Sequence, residues 1–190
     1  MCDLVARTGR LQQRYEDGCR LVAGCIPFKY IDSDENSDDK SKQIVVLMIN
    51  SPSGPGFLFP KGGWENDETV EEAAAREAWE EAGVRGEIME SLGCYLFKSK
   101  THQDEFSPEG LCKAKMFALL VKEELSSWPE QSTRQRRWLT IPEAAENCRH
   151  PWMREVLEEA FCKWHEDKEI SSMENNHVSS VSSSPPRTVV

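Results

Sequence analysis

An α/β fold, with a mixed sheet covered by helices on both faces, is predicted by three features of the sequence. Apolar, β-branched-rich runs at 19–31 and 42–50 flank an acidic stretch and read as neighbouring, paired strands. A helix with complete start and stop signals follows at 69–83. A last helix, "PWMREVLEEAFCKWH" (151–165), brings Trp152, Val156, Ala160 and Trp164 onto one face and closes the core. Strands next to strands, with helices interspersed, describe a mixed sheet rather than a purely parallel one.

The elements are justified in turn along the chain. Between the first two runs lies "DSDENSDDKSK" (32–42), whose five acids outnumber Lys40 and Lys42 and which cannot bury apolar area, so it reads as a mobile loop. "SPSGPG" (51–56) is a turn, "FLFP" a brief strand, and "PKGG" a further turn with backbone N–H groups placed to cradle a phosphate. The helix at 69–83 opens with a T-x-x-E capping box, Thr69 and Glu72, and stops at Gly83. Its Val70, Ala74, Ala78 and Ala82 form a small stripe able to lie close on a sheet. Strands are expected at 91–100, 112–124 and 136–141, with a polar loop at 101–110 and a short helix "PEAAENC" before the last one. Three segments result: an N-terminal piece at 1–17 with a faint transit-peptide look, whose arginines are read as belonging to the folded protein, a domain at 18–167, and a Ser- and Pro-rich tail at 168–190 expected to be disordered.

Composition excludes several function classes. A chain of 190 residues, 29% charged and 38% hydrophobic, builds one globular domain. A net charge of −10 argues against a nucleic-acid coat, and no apolar run approaches the ~20 residues that span a bilayer. Seven cysteines, an odd count without C-x-x-C, read as reduced thiols in a reducing compartment rather than disulfides or a zinc site.

The chemistry is concentrated in "REAWEEAG" (76–83). Glu77, Glu80 and Glu81 share a helix face although like charges at i, i+3 and i+4 repel. Most such triplets are solvated surface; the alternative is a face meant for a cation. Hard divalent cations want carboxylate oxygens, and a rigid helix aims Glu77 and Glu81 at one point with Glu80 near enough to share the metal or act as base on a water. Glu68 and Arg76 are spaced to pair across the loop–helix junction and orient these side chains.

From Gly62 through Glu68, Arg76, Glu77, Glu80 and Glu81 to Gly83, with Ala78 and Val84 at the aliphatic places, the spacing resembles the Nudix box, G-x5-E-x7-R-E-U-x-E-E-x-G-U, at every defined position. At ~7% usage per residue type, seven fixed positions coincide by chance roughly once in 10⁸ starts. Together with "RYEDGCRLVAGCIPF" (14–28), "FPKGGWENDET" (59–69) and "RRWLTIPEA" (136–144), the chain resembles the diphosphoinositol polyphosphate phosphohydrolase branch, and within it a plant group with "ARTGR" near the start and "HPWM" before the last helix. The resemblance implies an α/β/α sandwich, Mg²⁺ or Mn²⁺ as cofactor, Glu77, Glu81 and Glu80 as metal ligands, and Glu80 as the base. It also implies attack of water on a diphosphate. Lys61 stands where animal members carry a third glycine, which brings the chain nearer to fungal members and to diadenosine polyphosphate hydrolases.

A small-molecule polyphosphate needs cations on an acidic protein. The candidates are Arg7, Arg10, Arg20, Lys61, Lys98, Lys100, Lys113, Lys115, Arg134 and Arg136, with Arg10, Arg20, Lys61, Gly62 and Gly63 foremost. Trp64 either stacks on a base or simply packs. ADP-ribose or NADH as substrate, a non-catalytic binding module, and a base in the 101–110 loop (Glu105 or Glu109) remain open alternatives. The expected compartment is cytoplasm and nucleus, with the mitochondrion as alternative, and neither nucleic acid nor membrane is expected as a partner.

Overall fold

The computed structural model describes residues 5–9, 11–32, 42–99 and 106–180. Arg10, Lys100, Glu105, most of the acidic stretch and the last ten residues of the tail therefore lie outside the described residues.

The described residues form one eight-stranded mixed sheet: β1 (Tyr15–Glu16), β2 (Cys19–Asp32), β3 (Lys42–Asn50), β4 (Phe57–Leu58), β5 (Lys61–Gly63), β6 (Val84–Lys98), β7 (Leu111–Glu124) and β8 (Arg136–Thr140). Its central path runs β4-β3-β2-β7-β6, with β1 and β5 also on β2 and β8 on β3. The β2–β7 pair is parallel, with Arg20 opposite Cys112, and the other pairs are antiparallel.

Helices cover both faces, as the sequence predicts. On one face lies α1 (Val70–Ala82), whose Ala73, Ala74, Ala78 and Ala82 are fully buried. Alanine lets the helix backbone approach the sheet, and Cys25 Sγ reaches Ala74 O at 3.9 Å. Successive strand residues face opposite ways, so Phe28 points to the other face, where α2 (Ile141–Asn147), α3 (Pro151–Glu155), a π-helical segment (Val156–Phe161) and α4 (Cys162–Ser180) pack. There Phe28 meets Phe161 and Trp164 edge-on at 5.3 and 5.6 Å, and Met153, Val156, Leu157 and Phe161 are fully buried. Each such side chain contributes roughly 1.5–3 kcal/mol of burial.

The N-terminal piece is packed on the domain: Arg14 N–H donates to Trp64 O and Leu21 N–H to Arg14 O, both at 2.9 Å. Three differences from the sequence reading have physical causes. "KGG" is strand β5 rather than a turn, because β2 is long enough to pair with β3 at one end and with Lys61–Gly63 at the other. β6 begins at Val84, just past the Gly83 cap of α1, instead of at 91; after the buried Val84 its first half is mostly exposed, it carries three register shifts and it is held by β7, so it lacks an alternating pattern. The last helix runs to Ser180, beyond 168 where the apolar period stops. Once a helix is nucleated by packing, adding polar turns costs little, and Ser171 and Ser172 hydroxyls donate to Asp167 O and Lys168 O.

Candidate active site

The site is built where α1 meets β5. Thr69 caps α1 through the Glu72 N–H, Glu72 returns the bond to the Thr69 N–H, and Gly83 ends the helix at φ 64°. These caps set where the helix starts and stops, its buried alanines set which face meets the sheet, and Glu77, Glu80 and Glu81 are turned inward: they are 8, 2 and 7% exposed. A solvated glutamate face would be open to water, so that reading is excluded for these three. Glu71 and Glu72, on the outer side, are exposed.

Arg76 is the hub that makes this burial possible. All its donating nitrogens are engaged: Nε and Nη2 grip the two oxygens of Glu68 at 2.9 and 2.8 Å, Nη2 also donates to Gly63 O at 2.9 Å, and Nη1 donates to Glu77 Oε1 at 2.7 Å and Glu80 Oε2 at 3.2 Å. Glu68 also accepts the Glu65 N–H at 3.0 Å. Burial works to raise Glu68, but Arg76 and the Glu65 N–H turn its net pKa shift downward. Glu81 is held separately, accepting from Arg134 Nη2 at 2.5 Å and from the Lys61 backbone N–H at 2.9 Å.

Four clustered carboxylates, Glu68, Glu77, Glu80 and Glu81, face two guanidiniums, so negative charge is in excess. Burial, then the neighbouring Glu81 charge, pushes Glu77 up to about 8; burial also raises Glu80 and Glu81. Among the described residues no three carboxylate, imidazole or thiol side chains converge on a single point, since Arg76 and Arg134 draw them apart. The donor set nevertheless fits a hard divalent cation: it offers only carboxylate oxygens, on one rigid helix face, with charge left to neutralise.

Gly62 explains how the carboxylates reach β5. A Cβ at this position would sit 2.2 Å from Glu77 Oε1, so the missing side chain is the space the carboxylate occupies. The clash is with the far end of a flexible side chain, not with backbone. Gly62→Ala is therefore expected to fold with a near-normal melting midpoint and to lose at least about tenfold in kcat, since displacing a site group by ~1 Å can cost 10²-fold. Circular dichroism and a turnover assay check both halves. By contrast, a Cβ at Gly63 would meet the Gln13 side-chain amide at 2.4 Å. Both glycines thus make room for protein groups, and the Lys61 N–H expected to cradle a phosphate is taken by Glu81.

The remaining candidates divide. Arg20 is buried, bonded through Nε to Gln13 Oε1 at 2.6 Å, and lies across from Cys112. Lys61 Nζ is 5.6 Å from the Phe97 ring, and burial pulls its pKa down while Glu81 and Glu77 work against that. Among the described residues no carboxylate lies within ion-pair distance of either cation side chain. Lys98 pairs with Glu109, and Lys113 with Glu16, at the surface. Arg136 donates to Ala82 O, Gly83 O and Leu125 O and stacks 4.4 Å from Trp128. Trp64 lies beneath Arg14 at 4.3 Å with its Nε1 on Glu68 O, so it packs. Two contacts had no signal in the sequence: Arg134 on Glu81, and the Arg7 backbone N–H on Glu80 Oε1 at 3.0 Å. Composition marked both arginines as basic, but nothing local tied them to these glutamates.

The NUDIX domain model matches residues 36–160. Nudix hydrolase 16, mitochondrial, of Arabidopsis thaliana is 71% identical over 175 residues, covering 92% of this chain and 97% of that one. The chain belongs to the Nudix hydrolase family. Nudix hydrolase 13, mitochondrial, of the same plant is 53% identical over 165 residues, covering 84% of this Nudix hydrolase and 82% of its own length. Among solved structures, the C. elegans Ap4A hydrolase superposes with a TM-score of 0.56 at 16% identity, covering 76% of this chain and 96% of that one, which shows the shared fold. Hydrolases of this family use divalent metal ions in general.

Proposed function

We propose that this Nudix hydrolase cleaves phosphoanhydride bonds of densely charged small molecules with Mg²⁺ or Mn²⁺, diphosphoinositol polyphosphates or dinucleoside polyphosphates being the substrate class. The observation that carries this reading is the pair Arg20, buried, and Lys61, half-buried: neither has a carboxylate ion-pair partner among the described residues, and Lys61 lies near enough to Glu81 and Glu77 to feel their charge. Burying a cation is costly unless an anion compensates it, and substrate phosphates supply that anion through charge-assisted bonds.

Glu77, Glu81 and Glu80 are the residues that would hold the metal. When bound, a divalent cation neutralises phosphate oxygens and makes a water more acidic. Glu80, its two oxygens oriented by the Arg7 N–H and by Arg76, accepts the proton of the attacking water as the new P–O bond forms. The anhydride P–O bond breaks, and the leaving phosphate keeps the electron pair. Arg20 and Lys61 hold the non-reacting phosphates. Arg10 shares this proposed role, on its place in the sequence alone. The Arabidopsis relatives named mitochondrial support the mitochondrion, and the cytoplasm and nucleus expected first receive no such support.

Phosphate and nucleotide release with Mg²⁺ or Mn²⁺ tests the reading across a diphosphoinositol polyphosphate, diadenosine polyphosphates, ADP-ribose and NADH. Preference for the first two is expected, and Arg20→Ala or Lys61→Ala should lower kcat/KM for them by roughly ten- to a hundredfold, the worth of a charged hydrogen bond. Preference for ADP-ribose or NADH, unaffected by those substitutions, removes the polyphosphate pocket.

A further inference from the structure

We infer that Arg7 is a positioning residue for Glu80, holding the N-terminal segment across the site so that its own amide fixes the carboxylate. The inference rests on the proposed role of Glu80 as the base. Residue 7 is 73 positions from Glu80, yet its backbone N–H donates to Glu80 Oε1 at 3.0 Å while Arg76 Nη1 holds Oε2 at 3.2 Å. With one donor on each oxygen, the plane of the carboxylate is set, and a base whose plane is set presents its lone pairs in one direction.

An amide placed this way must be anchored. The Arg7 guanidinium does this through Nη1, which meets Glu65 Oε2 at 2.6 Å and Asp67 Oδ1 at 2.9 Å. Both acids belong to the loop that leads into α1, the same loop that carries Glu68. The rest of the segment is bound to that loop as well: Asn66 N–H donates to Gln12 O at 2.8 Å, and Arg14 donates to the carbonyls of Glu65, Asn66 and Glu68 at 3.0–3.1 Å. The segment thus stays docked through Gln12 and Arg14 when Arg7 is changed, and only its contact with Glu80 depends on Arg7.

The magnitudes separate a positioning role from a merely structural one. The Arg7 side chain is 41% exposed and Asp67 62%, a pair too open to water to add much to stability; Glu65 is only 11% exposed, so losing its partner carries a moderate stability cost. Orientation of the base acts on the rate instead. Arg7→Ala is expected to lower kcat between ten- and a hundredfold on whichever substrate of the panel is cleaved fastest. KM should stay within about twofold, while the melting midpoint falls by up to about 5 °C as Glu65 loses its partner. Arg7→Lys, which keeps a cation for Glu65 and Asp67, should recover most of the rate. In a double-mutant cycle, Arg7→Ala combined with Glu80→Gln should be no slower than Glu80→Gln alone, because Arg7 acts through Glu80.

A wild-type kcat in Arg7→Ala overturns the inference. A loss shared by kcat and KM, a midpoint lowered by more than about 10 °C, or fully additive losses in the cycle, overturns it too. If Glu80→Gln itself keeps a near-normal rate, the base reading falls and Arg7 with it; if Glu80→Gln is slow while Arg7→Ala is not, only Arg7 is discarded.

Discussion

Glu77→Gln will reduce turnover by roughly a thousandfold while the protein still folds, the loss expected when a site charge worth several kcal/mol is removed. The substitution is nearly isosteric, so the amide fits the space that Gly62 leaves and retains an oxygen for Arg76. What disappears is the formal charge. The same change should not weaken the metal-free fold at neutral pH. Glu77 is raised to about 8 from an ordinary 4.5, by burial first and then by Glu81. A carboxyl with a raised folded pKa contributes stability that is complete below the unfolded value and lost as pH climbs through the folded one. Between pH 4.5 and 8 the metal-free wild type therefore forfeits stability at this position and the glutamine variant does not. Thermal melts in chelator at pH 5 and pH 8, beside a turnover assay with Mg²⁺, read both effects. A variant that keeps wild-type turnover would remove Glu77 from the proposed metal set, and one that melts far below the wild type would make its role structural.

Arg76→Ala has the largest expected effect on stability. It leaves Glu68, Glu77 and Glu80, all nearly buried, without their shared guanidinium. Removing one partner from a buried ion pair costs about 3–5 kcal/mol because the remaining charge stays uncompensated. Arg76→Lys should recover only part of this, since an ammonium cannot grip both Glu68 oxygens and still reach Gly63 O. Urea unfolding midpoints measure the difference. Mg²⁺ should stabilise the alanine variant more than the wild type, as the freed carboxylates then bind the cation instead of a guanidinium. Equal midpoints for wild type and Arg76→Ala would show that the hub contributes nothing.

How much of this was legible in the sequence follows from how local each determinant is. The caps of α1 lie within the helix and its borders, so Thr69, Glu72 and Gly83 marked the element correctly. The glutamate spacing marked the inward face for the same reason. β6 was recognised only in its second half, because its first residues are kept extended by β7 rather than by their own pattern. "KGG" read as a turn because three residues with two glycines carry no strand signal; only pairing with β2 makes them one. The arginines that complete the site come from far along the chain. Arg134 reaches Glu81 across 53 residues and Arg7 reaches Glu80 across 73, distances over which no periodicity operates. Lysines and arginines could be named as cations from composition, but which of them face carboxylates and which do not is decided by the fold.

The measurement that tests the central claim most directly is Mn²⁺ uptake, followed by electron paramagnetic resonance, in the wild type and in Glu77→Gln. The account predicts saturable binding by the wild type, displaced by Mg²⁺, and a loss of at least about tenfold in affinity in the variant. Equal uptake by the two proteins would contradict it, because the buried carboxylates of α1 would then not be where the cation binds.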